Sequence, residues 1–136
     1  MKESQLKILY REKILPESKN PYQFGCKPDY SHSFTAYNPL CGDKYELFID
    51  ISDGEVKNCA FDGMGCALSR ASTSLLLRNL PGMKVSDALE FLSAFLSKET
   101  TWDNELSILS EIKNSGGRID CINLSWEAIQ KELLKE

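Results

Sequence analysis

The fold of this 136-residue chain is decided by residues 45–62, YELFIDISDGEVKNCAFD. Apolar side chains occupy every second position in the first half of this stretch, namely Tyr45, Leu47, Ile49 and Ile51. This alternation is typical of a strand with one buried face, although Phe48 places an apolar side chain on the other face. Asp53-Gly54 is a tight-turn signal, so the residues after it form the returning strand of a hairpin. An extended pattern that begins at His32 adds a third strand.

Helical periodicity dominates the rest of the chain. Five helices are predicted, with starts near Ser4, Cys66, Ser86, Asp103 and Cys121. Their predicted ends include Pro16, Pro81-Gly82 and the Asn-Ser-Gly-Gly run at 114–117. Since the strands precede most helices, we expect an α+β fold: a small antiparallel three-stranded sheet packed against about five helices. A chain of this length supports one hydrophobic core, so we expect residues 1–136 to form a single domain.

The charge and the apolar content of the chain disfavour nucleic acid and membranes as partners. The chain has 16 basic and 20 acidic residues, a net charge of -4, whereas nonspecific binding to nucleic acid needs clustered Lys and Arg. No stretch approaches the roughly 18 consecutive apolar residues of a membrane span, and the first residues do not resemble a secretory signal. We therefore expect a cytoplasmic protein without nucleic-acid or membrane partners.

The five cysteines are an odd number, which favours metal binding or thiol reactivity over a disulfide framework. There is no Cys-x-x-Cys motif, so a thioredoxin-like redox pair is disfavoured. His32 is the only histidine, and this excludes any site that needs two imidazoles.

Cys41 lies in the segment Asn38-Pro39-Leu40-Cys41-Gly42-Asp43. Gly42 allows the backbone to bend so that the Cys41 thiol and the Asp43 carboxylate face one point. The triplet taken alone also fits a simple turn in which Asp43 bonds nearby backbone amides.

Cys66 and Cys121 are both placed at predicted helix starts. Unpaired backbone amides and the helix dipole favour a thiolate there, although an isolated cysteine at such a position is also common as a small buried side chain. Arg118 could offset negative charge near Cys121, or it could be a solvated surface group. Asp120 could be only a helix cap.

Three thiols and one carboxylate are the right groups for one tetrahedral zinc ion or for iron and sulfide. Cys59 lies inside a predicted strand and is assigned to the core, while Cys26 lies in an irregular loop. His32 is expected outside the site.

Together these segments resemble the U-type iron-sulfur cluster assembly proteins, the IscU and SufU family, also represented by the N-terminal part of NifU. The resemblance rests on Tyr37-Asn38-Pro39-Leu40-Cys41-Gly42-Asp43, on Gly63-Met64-Gly65-Cys66-Ala67-Leu68-Ser69-Arg70-Ala71-Ser72 and on a third cysteine near a C-terminal helix. IscU-like members have a histidine before the third cysteine and a Leu-Pro-Pro-Val-Lys segment upstream of it. Here Asp120 precedes Cys121, and residues 114–119 do not match that segment.

Two further features favour the SufU subtype. The interval from Cys66 to Cys121, 121 minus 66 or 55 residues, is longer than is usual in IscU-like members. Arg118 three residues before Cys121 and Trp126 after it also resemble the SufU pattern.

The resemblance implies a zinc ion held by Cys41, Asp43, Cys66 and Cys121, and a pyridoxal-phosphate cysteine desulfurase as partner. Cys41, on a loop, is then the expected acceptor of sulfur, and downstream iron-sulfur acceptor proteins are the expected recipients. In the alternative role, the same site is a scaffold, and Cys41, Cys66 and Cys121 bind a transient iron-sulfur cluster. If the protein is an enzyme, it is expected to be at most a zinc-dependent sulfurtransferase that acts with the desulfurase. A monomer or weak homodimer is expected. A different possibility is a structural zinc module without sulfur transfer.

Overall fold

The computed structural model describes residues 3–97, 102, 105–114 and 118–136. Its sheet has the antiparallel order β1-β2-β3, with strands β1 (His32–Asn38), β2 (Asp43–Ser52) and β3 (Glu55–Met64). Asp53 and Gly54 form the β2–β3 turn with φ values of 54° and 71°. Positive φ at both central residues matches the twist of a hairpin and explains the Asp-Gly pair. The predicted three-stranded sheet is confirmed.

Helices flank the sheet in sequence on both sides. They are α1 (Glu3–Leu9), a π turn (Tyr10–Ile14), α2 (Leu15–Lys19), α3 (Ala67–Asn79), α4 (Val85–Leu96), α5 (Leu106–Asn114) and α6 (Ile119–Leu133). Because α1, the π turn and α2 follow one another without a break, they form one helical segment, and the described residues contain five such segments beside the sheet. The predicted α+β class is confirmed. The predicted helix start at Asp103 and the break at 115–117 lie outside the described residues. Within the described part of the chain, every helix is too short or too polar to span a bilayer.

Pro16 does not end the first helix, contrary to the prediction. The π turn precedes it, and the backbone N–H of Leu15 donates to the carbonyl of Tyr10, five residues back. Pro16 therefore lies in the first turn of α2, where its missing N–H leaves no helical hydrogen bond unmade. The helical segment continues to Lys19.

Ser86 does not cap α4, which begins one residue earlier at Val85. The β2–β3 hairpin supplies the cap instead, because the N–H of Val85 donates to the carbonyl of Gly54 at 2.9 Å. Lys84 forms a short antiparallel bridge with Glu55 beside it. A long-range backbone contact thus replaces the side-chain cap that the local sequence predicted.

The hydrophobic core lies between the sheet and helices α3, α4, α5 and α6. On α6 the predicted stripe is fully buried, as shown by Ile122, Trp126, Ile129 and Leu133. The connection before β1 runs along the other face of the sheet, where Lys27 pairs with Glu46 and the N–H of Ser31 donates to Asp50. Phe48 lies on that face and is only 5% exposed, which accounts for its departure from strict alternation.

Candidate metal centre

Three parts of the fold bring three candidate ligands to one point. Cys41 lies in the β1–β2 loop, Asp43 is the first residue of β2, and Cys121 lies in the first turn of α6. A ligand atom from each of these residues, two Sγ atoms and a carboxylate oxygen, lies within 4.8 Å of the other two. The structure therefore brings three of the four predicted site residues together.

Cys66 lies beside this group as the N-cap residue of α3. Its Sγ accepts a hydrogen bond from the backbone N–H of Ser69 at 3.4 Å, and its own backbone N–H donates to Oδ1 of Asp43 at 3.0 Å. The Cys66 thiol lies near enough to Cys121 to raise the pKa of the Cys121 thiol further, beyond the larger effect of burial. Cys66 does not belong to the group whose ligand atoms lie within 4.8 Å of one another, and its sulfur accepts from the backbone of α3.

Exposure is unequal among the four residues. Asp43 is 2% and Cys121 is 8% exposed, whereas Cys41 is exposed and Cys66 is half-buried. A cavity of about 490 Å³ opens beside the thiols and is lined by Asn38, Leu40, Cys41, Arg118, Ile119, Asp120 and Cys121. Cys41 is thus the thiol that a partner protein can reach with the least rearrangement.

Local hydrogen bonds shape the loop that carries Cys41. The side-chain oxygen of Asn38 accepts from the N–H of Leu40 at 3.1 Å, and the backbone carbonyl of Asn38 accepts from the N–H of Gly42 at 2.8 Å. Gly42 has a φ of +78°, a conformation that favours glycine. The bend predicted at Gly42 is confirmed, and it allows the Cys41 thiol to donate to Oδ2 of Asp43 at 3.1 Å.

A hydrogen-bonded pair, Tyr45 and Ser69, supports the backbone at Cys66. Their hydroxyl oxygens are 2.6 Å apart, and the Ser69 hydroxyl donates to the carbonyl of Cys66 at 3.1 Å. Burial, chiefly, raises the pKa of Tyr45 to about 12. Because the Ser69 hydroxyl gives its hydrogen to the Cys66 carbonyl, the Tyr45 hydroxyl is the donor in this pair. Gly65 passes directly over this pair, and a Cβ there would collide with both hydroxyls.

The surroundings of Cys121 shift the pKa of its thiol in both directions. Burial raises the pKa of the Cys121 thiol to about 12, the Cys66 thiol adds to the rise, and the hydrogen bond from Arg118 lowers it. Partial burial lowers the pKa of Arg118, but the negative charge of the Cys66 and Cys121 thiolates outweighs this and raises it overall. A cation that binds here must displace the proton of Cys121, so its affinity falls as the pH falls.

The residues predicted to lie outside the site do so. Cys59 is 1% exposed in the core, and burial raises the pKa of its thiol to about 12. Cys26 is exposed. His32 is at the far end of β1 from Cys41, and its Nε2 lies 2.7 Å from a carboxylate oxygen of Glu136.

Sequence reasoning missed three side chains that support the site: Tyr45, Ser69 and Arg70. Arg70 donates from Nη2 to the carbonyl of Gly65 at 3.4 Å, next to Cys66. The available signal was the Gly-x-Gly spacing at 63–65, because glycine in a strand often marks the close approach of another group. At Gly63 the approaching group is the backbone of Lys44 and Tyr45.

The chain is similar to known proteins over nearly its whole length. Residues 9–135 match the family described as NifU-like N terminal domain. An iron-sulfur cluster assembly scaffold protein IscU from Thermotoga maritima is 30% identical over 135 residues, covering 95% of each chain. A zinc-dependent sulfurtransferase SufU from Bacillus subtilis is also 30% identical, over 96% of this chain and 93% of the relative.

Solved structures share the fold. A crystal structure of a hypothetical protein is similar with a TM-score of 0.79 and 25% identity, covering 93% of this chain and 98% of that one. A putative iron-sulfur cluster assembly scaffold protein for the SUF system from Fervidobacterium islandicum gives a TM-score of 0.73 at 24% identity, covering 88% and 93%.

Proposed function

Because the chain belongs to the family of NifU-like N-terminal domains, we propose that it handles sulfur for iron-sulfur cluster assembly on Cys41, Cys66 and Cys121, with Asp43 as the fourth ligand. One observation carries this proposal: ligand atoms of Cys41, Asp43 and Cys121 lie within 4.8 Å of one another, and the backbone N–H of Cys66 donates to Asp43. The match over residues 9–135 confirms the predicted family. The roles of the four residues are part of the proposal.

The donor set suits zinc. Thiolates and a carboxylate are common zinc ligands, and four of them complete a tetrahedron. The four residues would hold the ion between the β1–β2 loop and the starts of β2, α3 and α6. When bound, zinc supplies positive charge that keeps the thiols deprotonated without changing oxidation state. A relative described as a zinc-dependent sulfurtransferase supports this choice.

Sulfur transfer would take place at Cys41. The Cys41 thiolate attacks the terminal sulfur of a cysteine persulfide on the donor protein. A new bond forms between Cys41 Sγ and that sulfur, the S–S bond of the donor breaks, and the donor cysteine leaves as a thiolate. No net oxidation or reduction is needed. Among the three thiols of the site, Cys41 is the exposed one, which supports its role as acceptor.

The sulfur donor is proposed to be a pyridoxal-phosphate cysteine desulfurase that docks around Cys41. Large apolar side chains in the segments that carry the candidate ligands are exposed to solvent: Leu40, next to Cys41 in the chain, is 91% exposed, Met64 76% and Tyr37 56%. Exposed apolar side chains clustered at a reactive group are typical of a docking surface. Replacing Leu40 with Ser should therefore weaken transfer from the desulfurase without altering the metal content.

The scaffold role places a nascent iron-sulfur cluster on the same thiols as cargo. Relatives named as cluster assembly scaffolds support this second role. Asp43→Ala distinguishes the two roles: it should lengthen the lifetime of a cluster if the carboxylate is a labile cluster ligand, and it should weaken zinc binding if the carboxylate is a zinc ligand.

The proposal is tested by incubating the zinc-loaded protein with a cysteine desulfurase and cysteine, then mapping modified peptides by mass. We expect one or more added sulfur atoms on the peptide that contains Cys41 and none on Cys26, the exposed cysteine outside the site. Cys41→Ser should abolish the modification, and Cys26→Ser should leave it unchanged.

The same variants address the structural zinc module. Cys41 is exposed on a loop and contributes nothing to the buried core. Cys41→Ser should therefore lose sulfur uptake and keep a cooperative unfolding transition. If the variant loses the fold, or if wild-type protein binds zinc and never acquires sulfur, the structural module replaces the proposed function.

We place the protein in the cytosol, as a monomer or weak homodimer and as one domain over residues 1–136. All five cysteines are free thiols, as a reducing compartment maintains them. The sheet and helices share one hydrophobic cluster among the described residues, which supports a single domain.

A further inference from the structure

The starts of α3 and α6 carry Cys66 and Cys121, so the relation between these two helices sets the distance between the two sulfurs. The helices pack along each other over buried surfaces that include two small hydroxyl side chains of α3, Ser72 and Thr73. Small side chains alone fix the register of two helices weakly, because neighbouring registers bury similar surfaces.

One hydroxyl group makes two hydrogen bonds across this interface. Ser72 donates from Oγ to the carbonyl of Ile122 at 2.7 Å, and the indole Nε1–H of Trp126 donates to the same Oγ at 2.9 Å. Ser72 is 1% exposed, while Ile122 and Trp126 are fully buried. Both the donor and an acceptor site of this hydroxyl are therefore used by α6.

The position of these bonds relates them to the site. Ile122 directly follows Cys121 in the first turn of α6, and Ser72 lies in the second turn of α3, which Cys66 caps. Trp126 is in turn held in orientation, since its ring stacks on Phe95 with centroids 3.6 Å apart at 11°. The hydrogen-bonded unit of Ser72, Ile122 and Trp126 connects the two helices within about their first two turns, next to the ends that carry Cys66 and Cys121.

We propose that Ser72 and Trp126 are positioning residues that fix the register of α6 against α3 and thereby the separation of the Cys66 and Cys121 sulfurs. Metal–ligand distances are held to about 0.2 Å in a well-formed site. A helix rises roughly 1.5 Å per residue, so even a small fraction of a one-residue slip exceeds that tolerance. The inference rests on the proposed function only in taking Cys66 and Cys121 as ligands of one ion.

The test compares Ser72→Ala and Trp126→Phe with the matched control Ser74→Ala. Ser74 is an equally buried hydroxyl on α3, but it bonds the N–H of Tyr22 and the carboxylate of Glu17, not α6. Zn²⁺ affinity is measured by competition with a chromophoric chelator, and metal-free stability is measured by urea unfolding. Two variants are used so that one that fails to fold leaves the other informative.

Zn²⁺ affinity should fall about 10-fold or more in Ser72→Ala and Trp126→Phe, the usual effect of removing a group that orients metal ligands, and by less than about twofold in Ser74→Ala. With Co²⁺ as probe, the visible absorption bands should change in shape in the first two variants only. In metal-free protein, alkylation of Cys121 should become faster in the same two variants.

Three results separate the explanations. Wild-type affinity, Co²⁺ spectrum and alkylation rate in Ser72→Ala and Trp126→Phe would overturn the positioning role. An equal loss of affinity in Ser74→Ala at equal stability would also overturn it, since the effect would then be general destabilisation. A wild-type protein that binds neither Zn²⁺ nor Co²⁺ would instead overturn the metal site of the proposed function, while the alkylation rates would still decide the positioning role.

Discussion

Asp43 and Cys66 are joined by a hydrogen bond of 3.0 Å from the backbone N–H of Cys66 to Oδ1 of Asp43. The second oxygen of Asp43 accepts from the Cys41 thiol at 3.1 Å. One buried carboxylate therefore holds the backbone of one thiol residue and faces the thiol of another. Oδ1 is committed to the fold, which leaves Oδ2 as the oxygen that can bind an ion.

This division of roles predicts different effects for two substitutions of Asp43. Asp43→Asn keeps an oxygen that can accept from the N–H of Cys66, whereas Asp43→Ala leaves that N–H without its partner. Metal-free Asp43→Ala should lose about 1–3 kcal/mol more stability than Asp43→Asn. Both should bind zinc at least about 10-fold more weakly. Urea unfolding and chelator competition measure the two effects, and equal stability of both variants would contradict the double role.

The pair of Tyr45 and Ser69 should stabilise the backbone at Cys66. Tyr45→Phe removes the buried hydroxyl that bonds Ser69, at an expected cost of about 0.5–1.5 kcal/mol. Ser69→Ala removes the other member, and the double variant should cost less than the sum because the two changes delete one shared bond. Urea unfolding of the four proteins gives the coupling energy. Strict additivity would show that the two hydroxyls act independently.

Gly65 should tolerate no side chain while Tyr45 keeps its hydroxyl. A Cβ at Gly65 would collide with the hydroxyls of Tyr45 and Ser69, so Gly65→Ala should cost about 1–3 kcal/mol. Combining it with Tyr45→Phe removes the nearest colliding atom and should recover part of this loss. The measurement is again urea unfolding of metal-free protein. An undiminished loss in the double variant would show that the collision is not the cause.

The buried thiol of Cys59 predicts a loss of stability at alkaline pH. Burial raises its pKa from 9.0 to about 12, so the folded state binds more protons than the unfolded state between these values. Its contribution is therefore fully present below about pH 9 and is lost as the pH rises towards 12. In metal-free protein, Cys59→Ala should flatten the decline of stability over this range. Cys26→Ala, at an exposed thiol, should leave the decline unchanged.

Local patterns predicted the sheet and the starts of the two helices that matter for the site. The Asp53-Gly54 turn and the alternation of Tyr45 to Ile51 identify the hairpin because both signals are short in range. Pro16 and Ser86 misled the assignment for a physical reason. A π turn moved Pro16 into a position where it is tolerated, and the hairpin carbonyl of Gly54 capped α4 in place of a side chain.

The candidate ligands could be identified from their own segments, but their support could not. The hydrogen bond between Tyr45 and Ser69 joins residues 24 positions apart, and that between Ser72 and Trp126 joins residues 54 apart. Such pairs depend on helix packing, which periodicity does not specify. The position of the Cys66 sulfur against the N–H of Ser69 likewise follows from the geometry of the helix start.

The central claim is that Cys41, Asp43, Cys66 and Cys121 hold one metal ion, and zinc-edge X-ray absorption of the loaded protein tests it most directly. We predict three sulfur ligands at about 2.3 Å and one oxygen at about 2.0–2.2 Å, falling to two sulfurs in Cys41→Ser. A spectrum with four sulfurs, or with a histidine ligand, or one unchanged by Cys41→Ser, would contradict the account.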